Sequence, residues 1–143
     1  MRAYLLGGLI AGVLLLTGGK ALAHHSFAAE FDGQKRVTLT GVVTKVEWTN
    51  PHVWIYFNVK DDKTGEVTNW GAEFGPPHLL QRQGWRRDIV KLGEKVTVTD
   101  AALAKNGSKR VNARTITLAS TGARPGQTLE AGSSEGGNNS SRN

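Results

Sequence analysis

Hydrophobic positions follow three regimes along the chain. Residues 3–16 are apolar with few interruptions, residues 37–119 carry short apolar–polar alternations, and from Ser120 onward only Leu129 is a sizeable apolar side chain. A membrane span needs about 20 apolar residues. The first run falls short of that: Gly7, Gly8, Gly12, Gly18 and Gly19 interrupt it and Lys20 ends it. With Arg2 before it and Ala21-Leu22-Ala23 after it, it has the basic start, apolar centre and A-x-A site of a secretory signal peptide. An uncleaved anchor is the competing reading, disfavoured by the length. Cleavage after Ala23 makes His24 the first residue of the mature chain.

The middle regime predicts a β-rich domain. Val37–Glu47 is dense in β-branched residues and reads as a first strand, with Gly41 inside it marking a bulge or bend. His52–Val59 is a second strand, Asp61–Gly65 a hairpin loop and Glu66–Phe74 a third strand carrying Val67, Trp70, Ala72 and Phe74. Gly75-Pro76-Pro77 breaks the pattern, and Pro77 suits the first turn of a short helix over His78–Gln83 that stops at Gly84. Lys95–Ala104 is a fourth strand and Asn106-Gly107 a hairpin signal. The fifth strand runs from Arg110 to Leu118, with Val111, Ala113, Thr115 and Thr117 on one face and Asn112, Arg114, Ile116 and Leu118 on the other.

The order βββαββ predicts an all-β fold with one short helix, a small five-stranded OB-like Greek-key barrel. An open five-stranded meander with a capping helix gives the same string. The barrel is preferred because closure hides edges that so short a chain cannot otherwise cover. The expected organisation is a signal peptide over residues 1–23, an N-terminal arm over 24–36, the barrel over 37–119, and a disordered Gly/Ser/Asn-rich tail over 120–143.

Composition narrows the setting. Of 143 residues, the mature part is enough for one domain. No cysteine is present, which excludes a disulfide framework and a lipid-anchored cysteine. Export without disulfides fits a bacterial periplasm. The formal charge is +6, falling to +4 without Arg2 and Lys20. That modest excess is ordinary for a solvated surface. The expected partner is a small molecule or an envelope protein. Nucleic acid is not expected there, and membrane contact is expected only through the signal peptide before cleavage.

The densest chemistry lies in Val46-Glu47-Trp48-Thr49-Asn50-Pro51-His52-Val53-Trp54, the connection between the first two strands and a usual binding edge of OB-folds. Proline restricts Asn50 to extended geometry. Alternation puts His52, Trp54, Tyr56 and Asn58 on one face, and Val53, Ile55, Phe57 and Val59 on the core face. Two aromatics beside a histidine suit a stacking surface with polar tips. The competing reading is that the helix or the N-terminal arm covers Trp54 and Tyr56. The candidate ligand-binding set is Trp48, Asn50, His52, Trp54 and Tyr56. Trp70 is expected in the core, and Trp85 as a plug at one end of the barrel with Arg86 and Arg87 outside.

The four histidines are His24, His25, His52 and His78. A mature N-terminal histidine offers its amine and ring together, and a further imidazole completes a brace-like site suited to Cu(II). This resembles the histidine brace of copper monooxygenases. The metal candidates are His24, His25 and His52; the cofactor is not identified by the sequence, and copper is the candidate these ligands suit. No zinc-ligand spacing, nucleophile motif or phosphate loop is present. An acid–base set of Glu47, Glu73 and His52 requires convergence in space, and carboxylates on strands are usually surface charges.

The segments His24-His25-Ser26-Phe27-Ala28, Glu47-Trp48-Thr49-Asn50-Pro51-His52, Asn69-Trp70 with Glu73, and Gly84-Trp85 together resemble a family of small exported bacterial proteins, domain-of-unknown-function family 6152. The resemblance covers about His24 to Leu118. It implies export and one compact β-rich domain, and it carries over no activity and no catalytic residue. The function expected first is that of an exported periplasmic binding or accessory protein. A copper-binding protein is the alternative, and an envelope enzyme acting on a small substrate the last.

Overall fold

The computed structural model describes residues 26–130. The elements in order are α1 (Ser26–Glu30), β1 (Phe31–Trp48), β2 (Val53–Lys60), β3 (Val67–Glu73), α2 (Pro77–Arg82), β4 (Lys95–Ala104), β5 (Arg110–Asn112), β6 (Thr115–Leu118) and β7 (Gln127–Glu130). The expected β-rich fold with its βββαββ core order is present, with a second short helix at α1. Among the described residues no helix is long and apolar enough to cross a membrane.

Ring closure depends on β1. Its first part pairs antiparallel with β4, from Phe31↔Ala104 to Val42↔Lys95, and its second part with β2, from Val42↔Asn58 to Trp48↔Val53. With β2–β3 and β4–β5 antiparallel and β3–β5 parallel, the strands form a ring in the order β1-β2-β3-β5-β4, the connectivity expected of an OB-type barrel. The changeover falls at Gly41 and Val42. A Cβ on Gly41 would stand 2.4 Å from the Asn58 carbonyl oxygen and 2.8 Å from Phe57 Cδ2. The bend expected at this glycine is therefore a place where the backbones of β1 and β2 approach too closely for any side chain.

Val53, Ile55, Phe57, Ala72, Phe74, Val98, Val111, Ile116 and Leu118 fill the interior and are fully buried. α2 follows Pro76-Pro77 and buries Leu80. Gly84 then stops it at φ 88°, a conformation glycine adopts without strain. Trp85 closes one end of the ring, 5.4 Å from Phe74 and 6.5 Å from Trp48 between ring centroids. Arg86 and Arg87 stay exposed. Trp70 is partly buried against the core.

Three expectations are corrected. The N-terminal arm is not separate over its described part. β1 begins at Phe31, six residues before the expected start at Val37, and a register shift between Asp32 and Arg36 accommodates the polar run. Phe31 is buried and stacks on Phe27 at 5.8 Å. The fifth strand is split into β5 and β6. Asp100, at φ 51°, forms a bulge in β4 opposite this break, and the buried face changes phase from Val111 and Ala113 to Ile116 and Leu118. The tail does not begin at residue 120. β7 pairs with β6, Leu129 is buried, and the Trp85 indole Nε1–H donates to the Glu130 carbonyl at 2.8 Å. The ladder to β6, the buried leucine and the indole hydrogen bond together dock this strand.

Candidate functional site

The strand pairings carry one band of cross-strand positions around the ring. Glu47 of β1 lies opposite Trp54 of β2, Trp54 opposite Glu73 of β3, Glu73 opposite Asn112 of β5, Asn112 opposite Ala102 of β4, and Ala102 opposite Arg36 at the start of β1. Cross-strand neighbours of this kind have side chains in contact range. His52 immediately precedes β2, two residues before Trp54, so it joins the band beside Glu73.

Glu73 is at the centre of the site. It is 6 % exposed and Asn112 is 1 % exposed. The His52 ring Nδ1 lies 2.5 Å from Glu73 Oε1, and Asn112 Nδ2 donates to Glu73 Oε2 at 3.1 Å. Burying a carboxylate requires partners for its oxygens, and here both oxygens have one. The Glu73 backbone is fixed as well, since its carbonyl accepts from the Ala113 N–H at 2.9 Å. The imidazole is 23 % exposed. A neutral ring that donates from Nδ1 to the carboxylate keeps its lone pair on Nε2. The expectation that Glu73 is a surface charge is thus corrected: it is a buried group that orients a histidine.

Trp54 and Tyr56 continue the same face. Their rings are nearly parallel, at 20° with centroids 6.2 Å apart, and both are partly exposed. Neither helix nor arm covers them completely. They lie against Gly71, where a Cβ would stand 3.1 Å from the Tyr56 ring and 3.5 Å from the Trp54 ring. The missing side chain lets both rings lie down on β3. The Arg110 guanidinium is 5.3 Å from the Trp54 centroid and Lys45 Nζ 5.3 Å from the Tyr56 centroid, within cation–π range. Tyr56 donates its hydroxyl to Glu47 Oε2 at 3.1 Å, and Lys45 pairs with Glu47 Oε1. The hydrogen bond from Lys45, followed by that from Tyr56, holds the Glu47 carboxyl below its ordinary range. Burial, and then the bond to Glu47, pushes the Tyr56 phenol up.

The sequence-derived set is therefore divided. His52, Trp54 and Tyr56 share one face. Asn50 is exposed in the β1–β2 turn, where the Asn50–Pro51 peptide is cis. Trp48 is not part of the face. It pairs with the buried Val53 and packs against the core beside Trp85, because alternation puts it on the inner side of β1. Of the acid–base set, His52 and Glu73 meet, while Glu47 is engaged with Lys45 and Tyr56. His24 and His25 lie outside the described residues. Among the described residues no three His, Cys, Asp or Glu side chains gather as a metal site, so His52 and His78 do not build one there. Asn112, Arg110 and Gly71 were not singled out from the sequence. The available signal was an asparagine between Val111 and Ala113 and a glycine between Trp70 and Ala72, each a polar or empty position in an otherwise apolar strand.

No curated protein and no solved structure matches the chain. A family model described as a family of unknown function, DUF6152, matches residues 13–113. That span covers most of the chain and includes His52, Glu73 and Asn112, and the chain belongs to this family.

Proposed function

We propose that this chain is an exported periplasmic binding or accessory module whose ligand lies on the outer face of β2 and β3, anchored by His52. The observation that carries this is the buried Asn112–Glu73–His52 relay. A carboxylate is held inside the sheet at a desolvation cost, and its visible result is a partly exposed imidazole with a fixed direction. Such fixed polar groups beside apolar area are what a binding site needs. In OB-type folds the face of the second and third strands is the usual ligand surface. Trp54 and Tyr56 supply the flat area, and the signal-like N-terminus supplies the location.

The test is a titration of the exported, 15N-labelled chain with a neutral oligosaccharide, an acidic oligosaccharide, a mononucleotide and Cu(II). Shifts of the Trp54 indole and His52 ring resonances are expected with at least one probe. His52→Ala and Trp54→Ala should each weaken that binding about tenfold or more, as expected for losing a stacked ring or a fixed hydrogen bond, with a folded spectrum retained. If both variants unfold, the residues are structural and the proposal fails.

The same relay favours a second reading. A metal-ligating histidine commonly gives its other ring N–H to a carboxylate, as His52 does to Glu73. Copper binding then draws its remaining donors from the amine and ring of His24, with His25 beside them. His24→Ala removes one ring of the chelate and leaves the terminal amine in place. On this reading it weakens Cu(II) by about a hundredfold, the scale of losing one ligand's support; unchanged affinity in calorimetry removes the brace.

A further inference from the structure

The ligand-binding face carries an asymmetry in charge that points to a ligand class. Each of its two rings has a cation at 5.3 Å, Lys45 on Tyr56 and Arg110 on Trp54. Lys45 is already paired with Glu47. Among the described residues Arg110 has no carboxylate partner within ion-pair distance. A guanidinium beside an aromatic platform, with its donors unused, is suited to a carboxylate on a ring-shaped ligand.

Arg110 also lines a cleft of about 530 Å³ between the α1–β1 junction and the β4–β5 turn, with Phe31, Lys105 and Ser108. The Ser108 hydroxyl oxygen is buried and has no hydrogen-bond partner. A buried hydroxyl of this kind ordinarily finds a partner. It lies in the lining of the same cleft as Arg110.

Resting on the binding face described above, we propose that it takes an acidic polysaccharide. One sugar ring lies on the Trp54–Tyr56 platform with its carboxylate on Arg110 and a hydroxyl on His52 Nε2, and the chain continues toward Ser108. Sugar rings offer apolar faces for stacking and hydroxyl donors at their edges. With its Nδ1 held by Glu73, the His52 ring leaves Nε2 for a sugar hydroxyl. A single-stranded nucleic acid needs a row of cations to track its phosphates, whereas the band beside these rings contains the carboxylates Glu47 and Glu73. The sugar is therefore the better chemical match.

The test compares an oligogalacturonate, its methyl-esterified uncharged form and an oligothymidylate, by calorimetry on the exported chain with resonance mapping. The acid form is expected to bind about tenfold or more tightly than the ester, the size of one charge-assisted hydrogen-bond pair. Arg110→Gln should remove this difference between acid and ester. Arg110 is exposed, so the variant is expected to fold. Equal binding of acid and ester, with shifts on His52 and Trp54, overturns the acidic ligand and leaves the binding face standing. Tightest binding of the oligothymidylate overturns it in favour of nucleic acid. If none of the three shifts that face, this ligand assignment falls, and a silent face across the broader probe set removes the binding face too.

Discussion

Gly41→Ala is expected to destabilise the fold by about 3 kcal/mol, at the upper end of what one overpacked methyl does in a core. The added Cβ would meet a carbonyl oxygen of the neighbouring strand at 2.4 Å and an aromatic carbon at 2.8 Å. A flexible side chain moves aside, but the Asn58 carbonyl is backbone within the β1–β2 ladder. Relief requires β1 to separate from β2 where it also leaves β4, and this opens the ring at its single changeover. For a domain of this size the melting temperature should fall by about 10 °C or more. Gly122→Ala is the control: nothing lies within 4 Å of its Cβ and its φ is not left-handed, so its melting temperature should stay within a degree or two. Thermal unfolding by circular dichroism checks both. An unchanged melting temperature for Gly41→Ala would mean that the two strands do not meet as described.

The second large effect concerns the relay. Asn112→Leu is expected to lower stability by about 3 kcal/mol, because it leaves one oxygen of a buried carboxylate without its partner. Adding Glu73→Leu in the same chain should restore more than half of that loss. The buried charge is then gone and an apolar pair fills the space, an exchange that is often close to neutral. The double variant separates two roles of the relay. It should be nearly as stable as the native chain, and its His52 ring should have no fixed proton position. Denaturant unfolding of the native chain, both single variants and the double variant gives the coupling energy directly. If the double variant is as unstable as the sum of the two single ones, the relay is a stabilising device and not one retained for its histidine.

Much of the ring was legible because its strands are separated by strong breakers. β4 was read with its observed limits, and β2 within one residue at each end, since Val, Ile, Tyr and Thr alternate there between Pro51, Asp61, Gly93 and Asn106. α2 was marked by Pro77 and Gly84. The misses share one physical cause: pairing supplied what local pattern did not. The run Asp32 to Arg36 looks like a polar arm, yet it is carried into β1 by a partner strand and a bulge. The phase change between Ala113 and Ile116 follows from a bulge at Asp100, which takes a positive φ that Asp adopts more readily than most non-glycine residues. β7 rests on Leu129, one apolar side chain in a polar tail.

The candidate site divides in the same way. Period-two alternation is enough to place His52, Trp54 and Tyr56 together, and it also argues that Trp48 belongs inside. The partner of the histidine was out of reach. Glu73 and Asn112 are 39 residues apart, and they meet because β3 and β5 pair in parallel through a helix and β4. A carboxylate in a strand looks the same in sequence whether it is solvated or held by an asparagine and an imidazole.

The most direct measurement of the central claim is the long-range 1H–15N spectrum of the His52 ring in its neutral form. The proton is predicted to sit on Nδ1, with Nε2 bare, in a single tautomer that becomes mixed in the double variant Glu73→Leu/Asn112→Leu. A native ring that is protonated on Nε2, or that already shows both tautomers, would contradict the account.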